Sequence, residues 1–396
     1  MKKISEMDLI VFFLFFSITK IYAIPQIAQQ VLKIIFLSII LIFLVSKRAI
    51  KLKSAGMLIS IIYLLPTAIG GLQGDLVIKQ ILDGILNVIC IFSIFSVIGY
   101  YSAKGRMPQI MDKLYACNLF ACIISFVSLF IKGRPLDTDG TAINYFFGNK
   151  FSTNYLFIML VGLYYLKTYS YRSATPKRRS ILFGMIIMEL FVSYWTKCST
   201  TLVGGVALVL VILFTGKLTQ KAQKLFSSPI VGVSCFIIPG LVAMYLPYFL
   251  RINWIHNLVV NVLHKSVGLT GRAFIYSKLM SIFLDKPIWG YGYNSKIVNN
   301  ITRVGNAQNG LFQILIDYGV IGVLSLSFLI FAAFRASKES ASFWGIKVVY
   351  LTLCICSIVE ISINYYFYLS VALLLFSESY EFQKKNVIED THHSKN

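Results

Sequence analysis

The sequence predicts an all-α polytopic membrane protein of about a dozen transmembrane helices with one large, basic, partly helical extracytoplasmic loop, and three observations predict it. Apolar residues make up 57% of the 396-residue chain and charged residues only 13%, too much apolar surface for a water-soluble fold to cover with polar groups. The apolar residues gather into twelve runs of near-spanning length. The 37 lysines and arginines, against 16 acids, sit in short clusters at the ends of those runs rather than along one amphipathic face. That distribution marks topology, so the net charge of +21 does not point to nucleic acid.

A helix needs roughly 20 apolar residues to cross the hydrocarbon, a few fewer when its ends sit among the headgroups. The runs lie at 8–24, 27–45, 55–71, 77–100, 114–131, 154–169, 181–196, 200–216, 230–249, 310–334, 345–362 and 364–377. Lys2 and Lys3 precede the first, which lacks a clear small-residue cleavage site and leads straight into further spans; it reads as an uncleaved helix. Loops holding Lys47, Arg48, Lys51 and Lys53, then Lys104, Arg106 and Lys113, then Lys167, Arg172 and Lys177–Arg179, alternate with loops around Pro25, Gly74, Lys197 and Ser362 that are nearly free of lysine and arginine. The positive-inside rule makes the basic set cytoplasmic, and both termini with it. The expected division is 1–248 for the first nine helices, 249–309 for the extracytoplasmic loop, 310–377 for the last three helices and 378–396 for a cytoplasmic tail. Six of the seven cysteines fall inside the runs and Cys198 lies near a surface, a pattern of packing rather than of disulfides or zinc.

Two outer loops depart from the low-charge pattern. The stretch 132–153 carries Lys132, Arg134, Asp137, Asp139 and Lys150, and the loop from Phe249 to Asn309 carries seven basic residues against the lone acid Asp285. Long loops translocate despite positive charge, so the topology stands and the charge calls for a role of its own. Within the larger loop, Trp254, Leu258, Val259, Val262 and Leu263 recur at helical spacing, as in a helix lying in the interface. A second helix is expected to start at Thr270, whose hydroxyl caps free N–H groups, and to run to Leu284 before Pro287 stops it. Gly290-Tyr291-Gly292-Tyr293 then marks a tight turn.

Lys33, Lys79, Asp83, Asp317 and Glu360 fall toward the outer ends of their runs. A charge facing lipid at the midplane costs about 2.5–3.5 kcal/mol, so together these residues imply a polar cavity open to the outer leaflet. Singly, each reads equally well as a helix-pairing or snorkelling residue. Glu189 lies deeper, where it can pair across helices.

Arg272 falls in the first turn of the expected loop helix, where its guanidinium and the free backbone donors converge into an anion site. Contact with a lipid phosphate is the other reading. Tyr276 shares its face one turn on, and Lys278 and Lys286 add positive potential. Interface belts account for most of the 23 tyrosines and 31 phenylalanines, while Tyr276, Trp289, Tyr291 and Tyr293 form a candidate sugar platform.

Thr270-Gly271-Arg272, Asp285-Lys286-Pro287-Ile288-Trp289-Gly290-Tyr291-Gly292, and Ala307-Gln308-Asn309-Gly310-Leu311 leading into Asp317-Tyr318-Gly319-Val320-Ile321-Gly322 resemble, in order and spacing, the loop signature of the O-antigen polymerase and O-antigen ligase superfamily. The likeness is clear over 270–325, with weaker echoes at Asn149–Asn154 and Lys197–Thr201. It implies a GT-C-like, metal-independent glycosyltransferase, without a cofactor, that joins oligosaccharide units carried on undecaprenyl diphosphate at the outer face of the cytoplasmic membrane. By that resemblance Arg272 binds the lipid diphosphate. Gln308 stands where ligases usually carry a histidine, ahead of the asparagine that Asn309 matches. The short loop around Lys197 lacks the arginine many relatives carry after the serine, and Lys197 itself supplies a charge. The expected catalytic set is therefore Arg272, Gln308, Asn309 and Lys197, with Tyr276, Lys278, Lys286, Trp289, Tyr291, Asn154 and Arg251 binding substrate. Gln308 can orient a hydroxyl but cannot take its proton, and Asp285, Asp317, His256 and His264 have no strong claim as the base. The missing histidine favours a repeat-unit polymerase, for capsule, exopolysaccharide or O-antigen, over a ligase. A lipid-linked oligosaccharide flippase is the alternative from another class, against which stand the charged loop and the lack of a repeat between the halves. Expected partners are the undecaprenyl-diphosphate-linked oligosaccharide, membrane lipid and a chain-length regulator.

Overall fold

With no water in the hydrocarbon to satisfy N–H and C=O groups, a chain of this composition meets its backbone hydrogen bonds inside helices. Each of the twelve apolar runs contains one in the computed structural model, which describes residues 4–50, 54–73, 76–130, 144–171, 176–215, 224–249, 251–257, 260–261, 272–338 and 340–378. The order is α1 (Glu6–Ile18), α2 (Gln26–Ser46), α3 (Ala55–Leu72), α4 (Ile78–Ala103), α5 (Met107–Phe130), a two-residue hairpin pairing Asn144–Tyr145 with Gly148–Asn149, α6 (Lys150–Tyr171), α7 (Pro176–Trp195), α8 (Ser199–Thr215) and α9 (Pro229–Phe249). The loop adds α10 (Asn253–Asn257), α11 (Arg272–Asp285) and α12 (Ile297–Thr302), and the chain closes with α13 (Gly310–Ala336), α14 (Trp344–Cys356) and α15 (Tyr365–Leu375). Among the described residues five helices, α2, α3, α4, α5 and α13, are long and apolar enough to cross a membrane.

Burial separates the periphery from the centre. Only 22% of the apolar window of α2 is buried, against 61% of that of α4, so Val31, Ile34, Ile35 and Ile42 of α2 point outward while Ile91, Ile94 and Ile98 of α4 are closed in. The short α15 is buried all round, from Phe367 to Leu374, and packs on α4, α6, α13 and α14. A helix apolar on every side belongs in the middle of the bundle. Exposed ion pairs fasten one end of the bundle, Lys47 to Glu6 at 3.0 Å, Lys167 to Asp112 at 3.0 Å, and Lys113 to Asp8.

Three departures from the expected elements bear on the site. The first helix stops at Ile18 rather than near residue 24, and the hydroxyl of Thr19 pairs with that of Tyr366 at 3.0 Å. The run 345–362 stays helical only to Cys356, because Ser357 and Asn364 offer the backbone local polar partners that compete with the helix. Ser357 Oγ donates to the Cys354 carbonyl at 2.7 Å, and Asn364 Oδ1 accepts from the Tyr366 N–H at 2.9 Å to cap α15. Glu360 is thereby released from a helix into a link. Finally, the loop helix seen at α11 starts at Arg272; Thr270 and most of the expected interfacial helix after Asn257 lie outside the described residues.

The third apolar stretch of note, α13, is broken at Gly319 (φ 63°, ψ −165°). That conformation is essentially restricted to glycine, and the break frees backbone groups that need partners. The segment after α11 supplies them. Tyr291 and Gly292 donate their N–H groups to the carbonyls of Ile316 (2.8 Å) and Asp317 (3.0 Å), and Val320 donates to Pro287 (2.8 Å). A Cβ on Gly290 would sit 2.5 Å from the Ile316 oxygen, so that turn approaches as closely as it does only with glycine.

Candidate functional site

The site is assembled on α11. Ile275, Tyr276, Leu279 and Ile282 recur at helical spacing and are buried with Ala243 of α9, Val298 of α12, and Phe312 and Ile316 of α13. This apolar face fixes the rotation of the helix, and Arg272, one turn before Tyr276, falls on the same face. Its guanidinium lies 3.7 Å from Oε2 of Glu360, with both side chains largely buried. The separation exceeds the 2.7–2.9 Å or so of a strong charge-assisted hydrogen bond, so the two charges oppose each other without locking together.

A set of hydrogen bonds holds the link 357–364 against Arg272. Tyr276 donates its hydroxyl to the carbonyls of Gln308 (2.9 Å) and Ile358 (3.0 Å). Asn309 caps α13 by accepting the Phe312 N–H at 3.0 Å and donates its amide to the Ile358 carbonyl at 3.0 Å. Gly310 adds an N–H bond to the Ser357 carbonyl at 3.0 Å. Glu360 Oε1 accepts the Ile361 N–H at 3.1 Å. Burial pushes the Glu360 carboxyl above the ordinary glutamate range; the Ile361 N–H, the Arg272 guanidinium and the Lys150 ammonium each hold it down in part. The nearby Cys198 thiol is likewise raised by burial, with Lys150 lowering it and Glu360 raising it. Lys150 opens α6 and Cys198 lies in the α7–α8 turn, so charge from two further stretches of chain bears on this carboxylate or on the thiol beside it.

The sequence-selected residues divide accordingly. Arg272, Gln308 and Asn309 are gathered at the centre. Gln308 adopts a left-handed backbone (φ 50°) held by its N–H on Asn306 Oδ1 at 3.0 Å. Lys197, also left-handed (φ 52°), is exposed in the α7–α8 turn. Asn154 is fully buried and ties α6 to the end of α7, donating to the Lys150 carbonyl (2.6 Å) and Thr196 Oγ1 (3.0 Å) and accepting from Ser193 Oγ (3.0 Å). Ser193 also donates to Glu189 Oε1 at 3.0 Å, a bond one turn apart on α7 itself rather than the expected pairing across helices. Tyr276 is buried as a clamp rather than open as a platform. Tyr291 gives its hydroxyl to the Ile282 carbonyl at 3.2 Å, and Lys286, 5.2 Å over its ring, donates to Gln73 Oε1 at 2.8 Å. Trp289 is half-buried, while Lys278 and Arg251 are exposed. Of the five ionisable residues read as lining one polar cavity, Lys33 and Asp83 share a cavity, Asp317 is bound through both oxygens by Gln313 at 3.0 Å, and Glu360 faces Arg272. By resemblance the sequence offers Gly148, Asn149, Lys150 and Asn154 as a second contact region, or equally a helix cap, and it assigns Glu360 to a polar cavity without pairing it to Arg272. The signal for Glu360 was the polar spacing Ser357, Glu360, Ser362, Asn364 at the end of an apolar run, which marks a link and not a span.

An all-α, multi-pass membrane protein with an arginine and a carboxylate opposed at one end of its bundle is the class that fold and site define. Residues 182–327 match the O-antigen ligase family, which supports an assignment to the O-antigen ligase and polymerase superfamily. The matched stretch runs from α7 into α13 and contains Lys197, Arg272, Gln308 and Asn309. No curated protein matches the chain. The match supports a ligase- or polymerase-type role in polysaccharide assembly at a membrane.

Proposed function

We propose that the protein is a polysaccharide polymerase that transfers a growing chain from undecaprenyl diphosphate onto the next lipid-linked repeat unit at the outer face of the bacterial cytoplasmic membrane. In this reading all twelve apolar helices span, both termini are cytoplasmic and 249–309 is the catalytic loop. The observation that carries it is the opposition of Arg272 and Glu360 at 3.7 Å, both side chains largely buried and the carboxyl raised by that burial. The acceptor hydroxyl attacks the anomeric carbon of the donor, the new bond forming from the acceptor oxygen as the bond to the diphosphate oxygen breaks. Arg272 meets the negative charge that grows on the leaving diphosphate, the larger electrostatic need of the step. Glu360 takes the acceptor proton, since a base is most effective with a pKa near the working pH and burial moves a glutamate that way. Gln308 and Asn309 set the backbone that holds Glu360, and Gln308 is available to orient the hydroxyl. When the diphosphate engages Arg272 it competes with Glu360 for the guanidinium, and a carboxylate with less of its counter-charge is the stronger base. Donor binding and base activation are thereby coupled.

Gln308 is the residue that favours polymerase over ligase, because its amide cannot accept a proton where ligases usually carry histidine. The test uses purified protein in lipid nanodiscs with lipid-linked repeat units. A ladder of polymer that Arg272→Gln and Glu360→Gln each suppress supports the reading. Units left unchanged by the unaltered protein overturn it, as does a deletion strain that accumulates units on the cytoplasmic side, the outcome a flippase gives.

A further inference from the structure

The turn between α1 and α2, the start of α4, the residues after the Gly290–Gly292 turn and the start of α15 enclose a cavity of about 660 Å³. Its volume falls within the roughly 300–1,000 Å³ of small-molecule sites. The wall carries two cations, Lys20 and Lys33, against one carboxylate, Asp83. Asp83 is already engaged, accepting the Asn294 amide at 3.1 Å. Lys33 donates to the Tyr365 hydroxyl at 3.0 Å and lies 4.8 Å over its ring, and among the described residues neither lysine is ion-paired. Lys33 is the eighth residue of α2, about 10 Å along the helix at 1.5 Å per residue. A cation that deep is retained in a membrane helix where it faces a polar cavity and serves a ligand. Gln29 and Gln30 add amides suited to hydroxyl groups, and Tyr293 and Tyr365 add flat apolar faces.

We propose that this cavity is a binding site for an acidic sugar of the saccharide substrate, with Lys33 holding its carboxylate, the amides its hydroxyls and the tyrosine rings its faces. The substrate role rests on the function proposed above; the binding site does not. Two short tethers connect it to the Arg272 centre. Tyr365 directly follows Asn364, the cap that ends the link carrying Glu360, and Tyr293 follows the turn docked on the α13 break. A lipid headgroup has the charge for Lys33 but offers little to a wall of amides and rings, so the saccharide is the occupant the lining favours.

The test measures binding calorimetrically to the full-length protein in phosphatidylcholine nanodiscs, with hyaluronan tetrasaccharide as the acidic oligosaccharide and chitotetraose as its neutral counterpart. The acidic one binds more tightly, and Lys33→Ala lowers its affinity by about 10- to 100-fold, the worth of a hydrogen-bonded charge. Lys33→Arg keeps the preference, which separates loss of charge from misfolding. Glu360→Gln, which blocks transfer in the mechanism above, leaves the affinity unchanged; an unaltered protein that binds the acidic tetrasaccharide yet joins no lipid-linked units sinks the polymerase reading and spares this one. No binding of the acidic tetrasaccharide, equal binding of the two, an unaffected Lys33→Ala protein, or loss of the preference in discs containing phosphatidylglycerol each overturn the proposal.

Discussion

Glu360→Gln removes the candidate base and keeps its shape. A base acting on the acceptor hydroxyl contributes typically about 10²–10⁴-fold, so the rate of polymer formation at saturating substrate falls within that range. The same change has the opposite effect on the fold. Burial raises the Glu360 carboxyl in the folded protein, so the folded state holds its proton to a higher pH than the unfolded chain does. As pH rises from the ordinary glutamate range through that raised value, ionisation costs stability; below it the cost is absent. A neutral glutamine escapes the cost. The Glu360→Gln protein therefore keeps or gains thermal stability at neutral pH while losing activity, a combination that a merely structural glutamate would not give. The pH profile supplies a second readout. The acidic limb of the unaltered protein lies above the ordinary glutamate range, and the residual activity of the variant no longer follows it. The assay is polymer yield per unit time in nanodiscs across pH, paired with unfolding followed by intrinsic fluorescence. A variant within about threefold of the unaltered rate, far short of the loss expected of a base, refutes the assignment, as does an equal fall in activity and stability.

Arg272→Gln is expected to lower the rate by about 10²–10³-fold, the roughly 2.7–4 kcal/mol of one transition-state charge donor; Arg272→Lys restores part of it, measured in the same nanodisc assay. Tyr276→Phe leaves the Ile358 carbonyl its bond from Asn309 but strips the Gln308 carbonyl of its Tyr276 partner. That costs about 1–3 kcal/mol and loosens the link, so rate and thermal midpoint fall together and activity recovers on cooling. Gly319→Ala forces a Cβ into the Ile288 backbone at a glycine-only conformation, a backbone cost of order 1–3 kcal/mol before the collision is counted; the monodisperse peak in size-exclusion chromatography is lost.

The helices were legible because lipid imposes one rule on every spanning segment, and each apolar run indeed contains a helix. Their ends were less so. The run 345–362 is apolar beyond Cys356, and hydropathy alone continues it to Ser362; only the local hydrogen bonds of Ser357 and Asn364 stop it. Arg272 was legible from its position at a helix start in a loop with one acid. Glu360 was not, because its partner is 88 residues away in sequence and nothing in the local pattern of either residue encodes the other. Tyr276 and Asn154 were chosen as substrate contacts, and both side chains bond within the protein; a local sequence pattern does not distinguish a polar group that meets a ligand from one that meets a carbonyl.

The signature segments divide into two kinds of work, and the division explains why they travel together. Asp285–Gly292 and Asp317–Gly322 meet backbone to backbone across the break in α13, and their glycines serve that contact rather than any chemistry. Ala307–Gly310 then carries Asn309, whose single side chain caps α13 and grips the link holding Glu360. A shift of the break would move the cap, the link and the carboxylate as one body relative to α11. Because α11 is itself fastened to that body by Tyr276, the Arg272–Glu360 distance is set by the scaffold and not by the attraction between the two charges. In the proposed mechanism a centre held that way releases its arginine to the diphosphate without collapsing, whereas a pair held only by its own ion contact would lose its geometry each time an anion bound.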